Sequence, residues 1–101
     1  MLFGISVYSF GEGDSQVKPV ASVVEQLATS GIPYRVHAMQ TVAEGEWEQV
    51  MPVLQEAYQR LMAKYDRVYM SVSIDQHGGL SNRLEGAIND LEKELGHPIA
   101  R

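Results

Sequence analysis

The residues whose types could do chemistry together fall in two short stretches: Gly4, Ser6 and Tyr8 near the start, and Tyr69, Ser71, Ser73 and Asp75 further on. Each set alternates with apolar residues, Phe3, Ile5 and Val7 in the first stretch and Val68, Met70, Val72 and Ile74 in the second. A period of two marks a strand with one face in a core, so the hydroxyls, rings and carboxylate share the opposite face. A sheet face open to water is usually rich in charged side chains and threonine, and a buried one in Val and Ile. Small hydroxyl and aromatic residues fit neither pattern and imply a cover: another subunit, a helix or a ligand. The chemistry on offer is binding, since hydroxyls donate and accept hydrogen bonds and tyrosine rings stack.

Other reactive groups are sparse. His37, His77 and His97 lie at no metal-ligand spacing, and the absence of cysteine removes both thiolate metal sites and disulfides. No serine or cysteine nucleophile is legible with a base, and no paired carboxylates stand out, so a non-enzymatic protein is expected. Glu44, Glu46 and Glu48 cluster at the start of a helical pattern, where carboxylates favour the positive end of the helix dipole. Capping is the expected role of Glu46 and Glu48.

These residues need a scaffold, and the chain spells one out. Leu2 to Phe10 reads as a strand, and Gly11 to Ser15 as a loop. Ser15 or Asp14 is a candidate N-cap for a helix in which Val17, Val20, Val24 and Leu27 line one face, stopped by Gly31 and Pro33. Tyr34 to Met39 reads as a second strand, turning near Gln40 into a short third, Thr41 to Glu44. The next helix carries Trp47, Val50, Met51, Leu54, Tyr58, Leu61, Met62 and Tyr65 as an apolar stripe. Pro52 implies either a kink or regular winding only from near Met51. Arg67 to Asp75 is the clearest strand, and a last helix runs from about Asn82 to Leu95, with capping-box spacing between Asn82 and Glu85. The order βαββαβα, with right-handed crossovers, gives a ferredoxin-like α+β domain over residues 1–101, with sheet order 4-1-3-2 and an additional C-terminal helix.

Two catalytic or binding uses of such a fold are disfavoured. An acylphosphatase needs an arginine-bearing phosphate loop after the first strand, and Gly11-Glu12-Gly13-Asp14-Ser15 is acidic. An RNA-recognition domain needs a basic, aromatic third strand, and Thr41-Val42-Ala43-Glu44 is neither. A net charge of −5 with scattered Lys and Arg also argues against nucleic acid. The first residues lack the basic and apolar run of a signal peptide, and no stretch approaches the roughly 20 apolar residues that span a bilayer, so a cytoplasmic protein is expected.

The segment Tyr34-Arg35-Val36-His37-Ala38-Met39-Gln40-Thr41-Val42-Ala43-Glu44-Gly45-Glu46-Trp47 resembles the signature of the thiamine-binding-protein-like family, which includes bacterial hydroxymethylpyrimidine/thiamine-binding proteins. Val7-Tyr8-Ser9 and Arg67 through Asp75 look alike too. Two positions depart: Ala38 and Gln40 stand where the family has Pro and Gly, and His77 stands where an arginine often follows the last strand. The resemblance implies homodimers or homotetramers assembled through sheets, no cofactor, and a thiamine or hydroxymethylpyrimidine ligand. Carried onto matching positions, it implies Ser9, Thr41, Glu44, Trp47 and Asp75 as site residues, to which the strand reading adds Ser6 and Tyr8. Glu44 would meet the amino group or the cation, and Tyr8 or Trp47 would stack on a ring. Trp47 also heads an apolar helical stripe, where core packing is its ordinary role. The alternative expectation is an oligomeric regulatory or interaction module without such a ligand.

Overall fold

The computed structural model describes residues 1–11 and 15–101, and its elements follow the expected order. They are β1 (Leu2–Phe10), α1 (Val17–Thr29), β2 (Tyr34–Val36), β3 (Thr41–Glu44), α2 (Trp47–Met62), β4 (Arg67–Asp75) and α3 (Arg83–Leu95). Among the described residues the strands form one antiparallel sheet in the order β2-β3-β1-β4, the ferredoxin-like arrangement the sequence implies. β4 runs beside the whole of β1, from Leu2 opposite Asp75 to Phe10 opposite Arg67. β3 covers far less, from Leu2 opposite Glu44 to Ile5 opposite Thr41. The second half of β1 therefore lacks a strand on that side.

α1 and α2 pack on each other and on one face of the sheet, enclosing Phe3, Ile5 and Val7 with Val23, Leu27, Val50, Leu54 and Leu61. Burying a side chain of this size stabilises by about 1.5–3 kcal/mol, which is why alternation in β1 predicts the inward row correctly. The helices are less obedient. α1 buries Pro19, Val23, Gln26 and Leu27, whereas Val17 points to solvent and Val20 and Val24 are half-buried. α2 buries Val50, Leu54, Ala57 and Leu61, so its buried stripe is narrower than the apolar one, and Tyr58 and Met62 stay exposed. Winding begins at Trp47 with Pro52 inside the helix, and the Glu46 N–H donates to Gln49 Oε1 at 3.0 Å across the first turn.

The N-cap of α1 is Gln16, which makes no side-chain cap, so the expected Ser15 cap does not form; Ser15 Oγ, one residue earlier, accepts from the Val17 N–H at 3.3 Å. Asp14, the other candidate cap, and the acidic part of the loop at 12–14 lie outside the described residues. β2 stops at Val36, three residues short of the expected Met39. His37 to Gln40 instead close a turn in which the His37 N–H donates to the Gln40 carbonyl at 2.9 Å.

α3 lies on the other face, over β3 and β2. Asn82 adopts a left-handed conformation (φ 54°) and makes no side-chain cap, so the expected capping box does not form. Glu44 replaces it: Oε2 accepts from the Arg83 N–H at 2.7 Å and Oε1 from the Leu84 N–H at 3.0 Å. A carboxylate on two first-turn amides satisfies orphan donors and meets the helix dipole favourably. This contact carries unusual weight because α3 buries no residue fully, Leu91 and Leu95 remain about half exposed, and a groove of about 580 Å³ separates the helix from the sheet. Polar clips do the rest. Glu92 accepts from the Ile99 N–H at 2.9 Å and from Arg101 at 2.6 Å, and those two contacts hold its carboxyl below the ordinary range. Glu44→Ala is expected to cost about 1–2 kcal/mol and to speed amide exchange in residues 84–95 well before the core. Equal exchange in the two variants would disprove the clamp.

Candidate functional site

The half of β1 left bare by β3 forms the wall of a cavity of about 130 Å³. The His37–Gln40 turn closes one side, and α1 closes another with Gln16, Val20 and Val23. Because the sheet is interrupted here, groups from both of its faces reach the same space. Ser6 and Tyr8 come from the open face and Thr41 from the helical face.

Each group has a definite state. Ser6 Oγ donates to the Met39 carbonyl at 3.2 Å, fixing the turn against the strand. Tyr8 is 46% exposed at the rim. Thr41 is only 4% exposed and lines the cavity, yet its hydroxyl makes no hydrogen bond among the described residues. No buried side-chain oxygen or nitrogen lacks a partner among the described residues, so this hydroxyl reaches the cavity surface, where an entering molecule can meet it. Gln16 is the residue the sequence reading missed. Its Oε1 accepts from the Ser9 N–H at 2.8 Å and its Nε2 donates to the Ser9 carbonyl at 3.0 Å, so the side chain acts as a substitute strand. Nothing in the local sequence marks this, because it depends on where β3 ends.

The remaining expected site residues are elsewhere. Ser9 is buried on the helical face, next to the cavity, with its main chain taken by Gln16. Glu44 spends both carboxylate oxygens on α3. Trp47 is 48% exposed on the outer side of α2, beside Met51 and Pro52, and belongs to neither the core nor the cavity. Asp75 lies at the far end of β4, lining a second hollow with His77 and Leu80. The structure thus brings together Ser6, Tyr8 and Thr41, and separates them from Glu44, Trp47 and Asp75. His37 lines the cavity from the turn, while His77 and His97 are exposed.

The open face beyond the cavity is as the strand pattern implies. Gly4 stands opposite Ser73, Ser6 opposite Ser71 and Tyr8 opposite Tyr69, the last 55% exposed. α3 covers the β3 side of this face and leaves the β1–β4 side bare. Gln40 lies across Gly4, where a Cβ would come within 2.9 Å of its Oε1. No helix is long and apolar enough to cross a membrane among the described residues.

Known proteins share this plan. Residues 3–92 match the family described as thiamine-binding protein. A UPF0045 protein of Mycobacterium bovis is 29% identical over 99 residues, 97% of each chain. A UPF0045 protein of Methanocaldococcus jannaschii is 28% identical over 81 residues, 80% of this chain and 81% of its own. A crystal structure of a Methanocaldococcus protein superposes with a TM-score of 0.83 at 25% identity, covering 91% of this chain and 95% of the other. A Thermotoga maritima protein, described as a candidate thiamine biosynthesis/salvage protein, gives a TM-score of 0.70 at 24% identity over 85% and 94% of the two chains, a likeness of fold. With nearly its whole length matched, the chain belongs to the thiamine-binding protein family.

Proposed function

We propose that this protein binds thiamine or a related pyrimidine or thiazole compound, without catalysing a reaction, in the cavity beside β1. The observation that carries the reading is a cavity lined together by Ser6, Tyr8 and Thr41, whose hydroxyl makes no hydrogen bond among the described residues. Family membership supports the ligand class. Size limits how the ligand sits. At about 130 Å³ the cavity is well below the roughly 300–1,000 Å³ of sites that enclose a drug-sized molecule. It suits one ring, with the rest of the ligand leaving past the exposed Tyr8, whose ring would stack on it at the rim.

Thiamine at a hundredfold excess over its Kd should add about 2.7 kcal/mol of stability, several degrees or more in Tm for a domain of this length. A flat thermal-shift response to thiamine, its phosphates and hydroxymethylpyrimidine would reject the proposal.

A homodimer or homotetramer completes this reading. The bare β1–β4 face exposes Tyr8 and Tyr69 side by side, and β4 is a nine-residue edge strand with no strand on its outer side among the described residues. Both are surfaces that another copy of the chain would cover. The same observation favours the second reading, an interaction module whose polar face serves assembly alone. The thermal-shift result separates the two.

A further inference from the structure

The strand pattern turns the main chain of Val7 toward the cavity. Alternate residues of a strand aim their N–H and C=O groups to alternate sides. Both main-chain groups of Ser9 go to Gln16, away from β4, so those of Val7 and Ile5 point the same way. Ile5 lies opposite Thr41, the first residue of β3. Val7 lies beyond the end of β3 and lines the cavity; the alternation turns its N–H and C=O away from β4, and no turn or loop bond among the described residues takes either.

We infer that the Val7 main chain reads the ligand by a pair of hydrogen bonds to a planar group carrying an acceptor nitrogen next to an amino donor, as on the edge of a 4-aminopyrimidine. The inference rests on the binding function proposed above and specifies which part of the ligand enters. Gln16 supplies the internal precedent: a planar amide, one acceptor beside one donor, already satisfies Ser9 two residues along with bonds of 2.8 and 3.0 Å. A ring nitrogen flanked by an exocyclic NH₂ offers the same sequence of acceptor and donor. Its faces would lie against the apolar walls of Val20, Val23 and Ile5, and Thr41 remains to meet a further ring substituent. A thiazolium ring has no such edge, so in thiamine it is the part directed outward, to Tyr8.

The test pairs ligand analogues with one main-chain probe. Binding of 4-amino-5-hydroxymethyl-2-methylpyrimidine to the full chain is compared by calorimetry with its desamino and 4-dimethylamino analogues, and the Val7 amide is followed in a ¹⁵N-labelled sample. Each analogue leaves the Val7 carbonyl unpaired in a dry site, so each should bind about ten- to hundredfold more weakly. The Val7 amide resonance should shift on binding the parent compound, and its exchange with solvent should slow. Equal affinities for all three compounds, or an unmoved Val7 amide in the saturated protein, overturn the assignment while leaving the binding function intact. If neither the aminopyrimidine nor thiamine binds, the proposed function itself falls, and this inference with it.

Discussion

Val20→Phe is expected to weaken thiamine binding by a hundredfold or more while the protein keeps its fold and its Tm. Val20 sits on α1, half-buried, with its side chain on the cavity wall rather than in the centre of the core. A larger side chain in a close-packed core costs about 1–3 kcal/mol, because neighbours must move. Here the added ring projects into about 130 Å³ of existing space, so little strain results and some apolar surface is gained. The ligand loses the same space. Val23 would make a poorer test: it lines the cavity too but is 2% exposed and belongs to the core cluster, so enlarging it mixes blocked binding with damaged packing. Calorimetry for thiamine and a melting curve on the same sample check both halves. Undiminished binding by a well-folded variant would place the ligand elsewhere, with the bare β1–β4 face next in line.

The sheet was legible because alternation is a strong signal wherever one face is dry. β1, β3 and β4 occupy the residues that pattern marks, and it puts Ser6, Tyr8, Tyr69 and Ser71 on one face, whereas the pairing of Ser6 with Ser71 and Tyr8 with Tyr69 is set by the register. The helices were legible in position but not in rotation. In α2, Trp47, Tyr58 and Met62 match the apolar spacing as well as Leu54 does, and only the width of the neighbouring surface decides which are covered. α3 was legible as a helix, while its cap was not. The carboxylate on its N-terminus comes from Glu44, 39 residues before Arg83, and local spacing pointed to Asn82 instead.

The same rule sorts the site, and part of the sorting was available in advance. Thr41 and Glu44 are three residues apart on one strand, so they must face opposite sides of the sheet. The two could not both meet a ligand held on one face, however closely the motif sets them in sequence. What lay beyond local reasoning was the break in the sheet. The strand pattern runs on through His37 and Met39, but the chain turns after Val36, and that early turn exposes the Val7 edge and lets Ser6, Tyr8 and Thr41 share one space. Gln16 closes the gap further along, a contact set by the path from β1 into α1.

The sharpest difference between what the residue types imply and what the fold uses lies between Phe3 and Trp47. By size alone Trp47 is the larger apolar group, and truncating it should hurt more. The expected result is the reverse. Phe3 is fully buried at the centre of the sheet, flanked by Ala43 on β3 and Ile74 on β4, and it joins the cluster that includes Leu27, Val50 and Leu54. The small Ala43 beside it leaves room for the ring and cannot close the hole if the ring is removed. Phe3→Ala should therefore cost about 3–5 kcal/mol, a large share of the roughly 5–15 kcal/mol that holds a domain together. Trp47 has 48% of its surface in water and few neighbours to lose, so Trp47→Ala should cost less than about 1 kcal/mol. Urea denaturation of the two variants decides the order. A Trp47→Ala loss matching that of Phe3→Ala would mean that Trp47 is covered in solution, and the exposed side of α2 would then be a contact between chains.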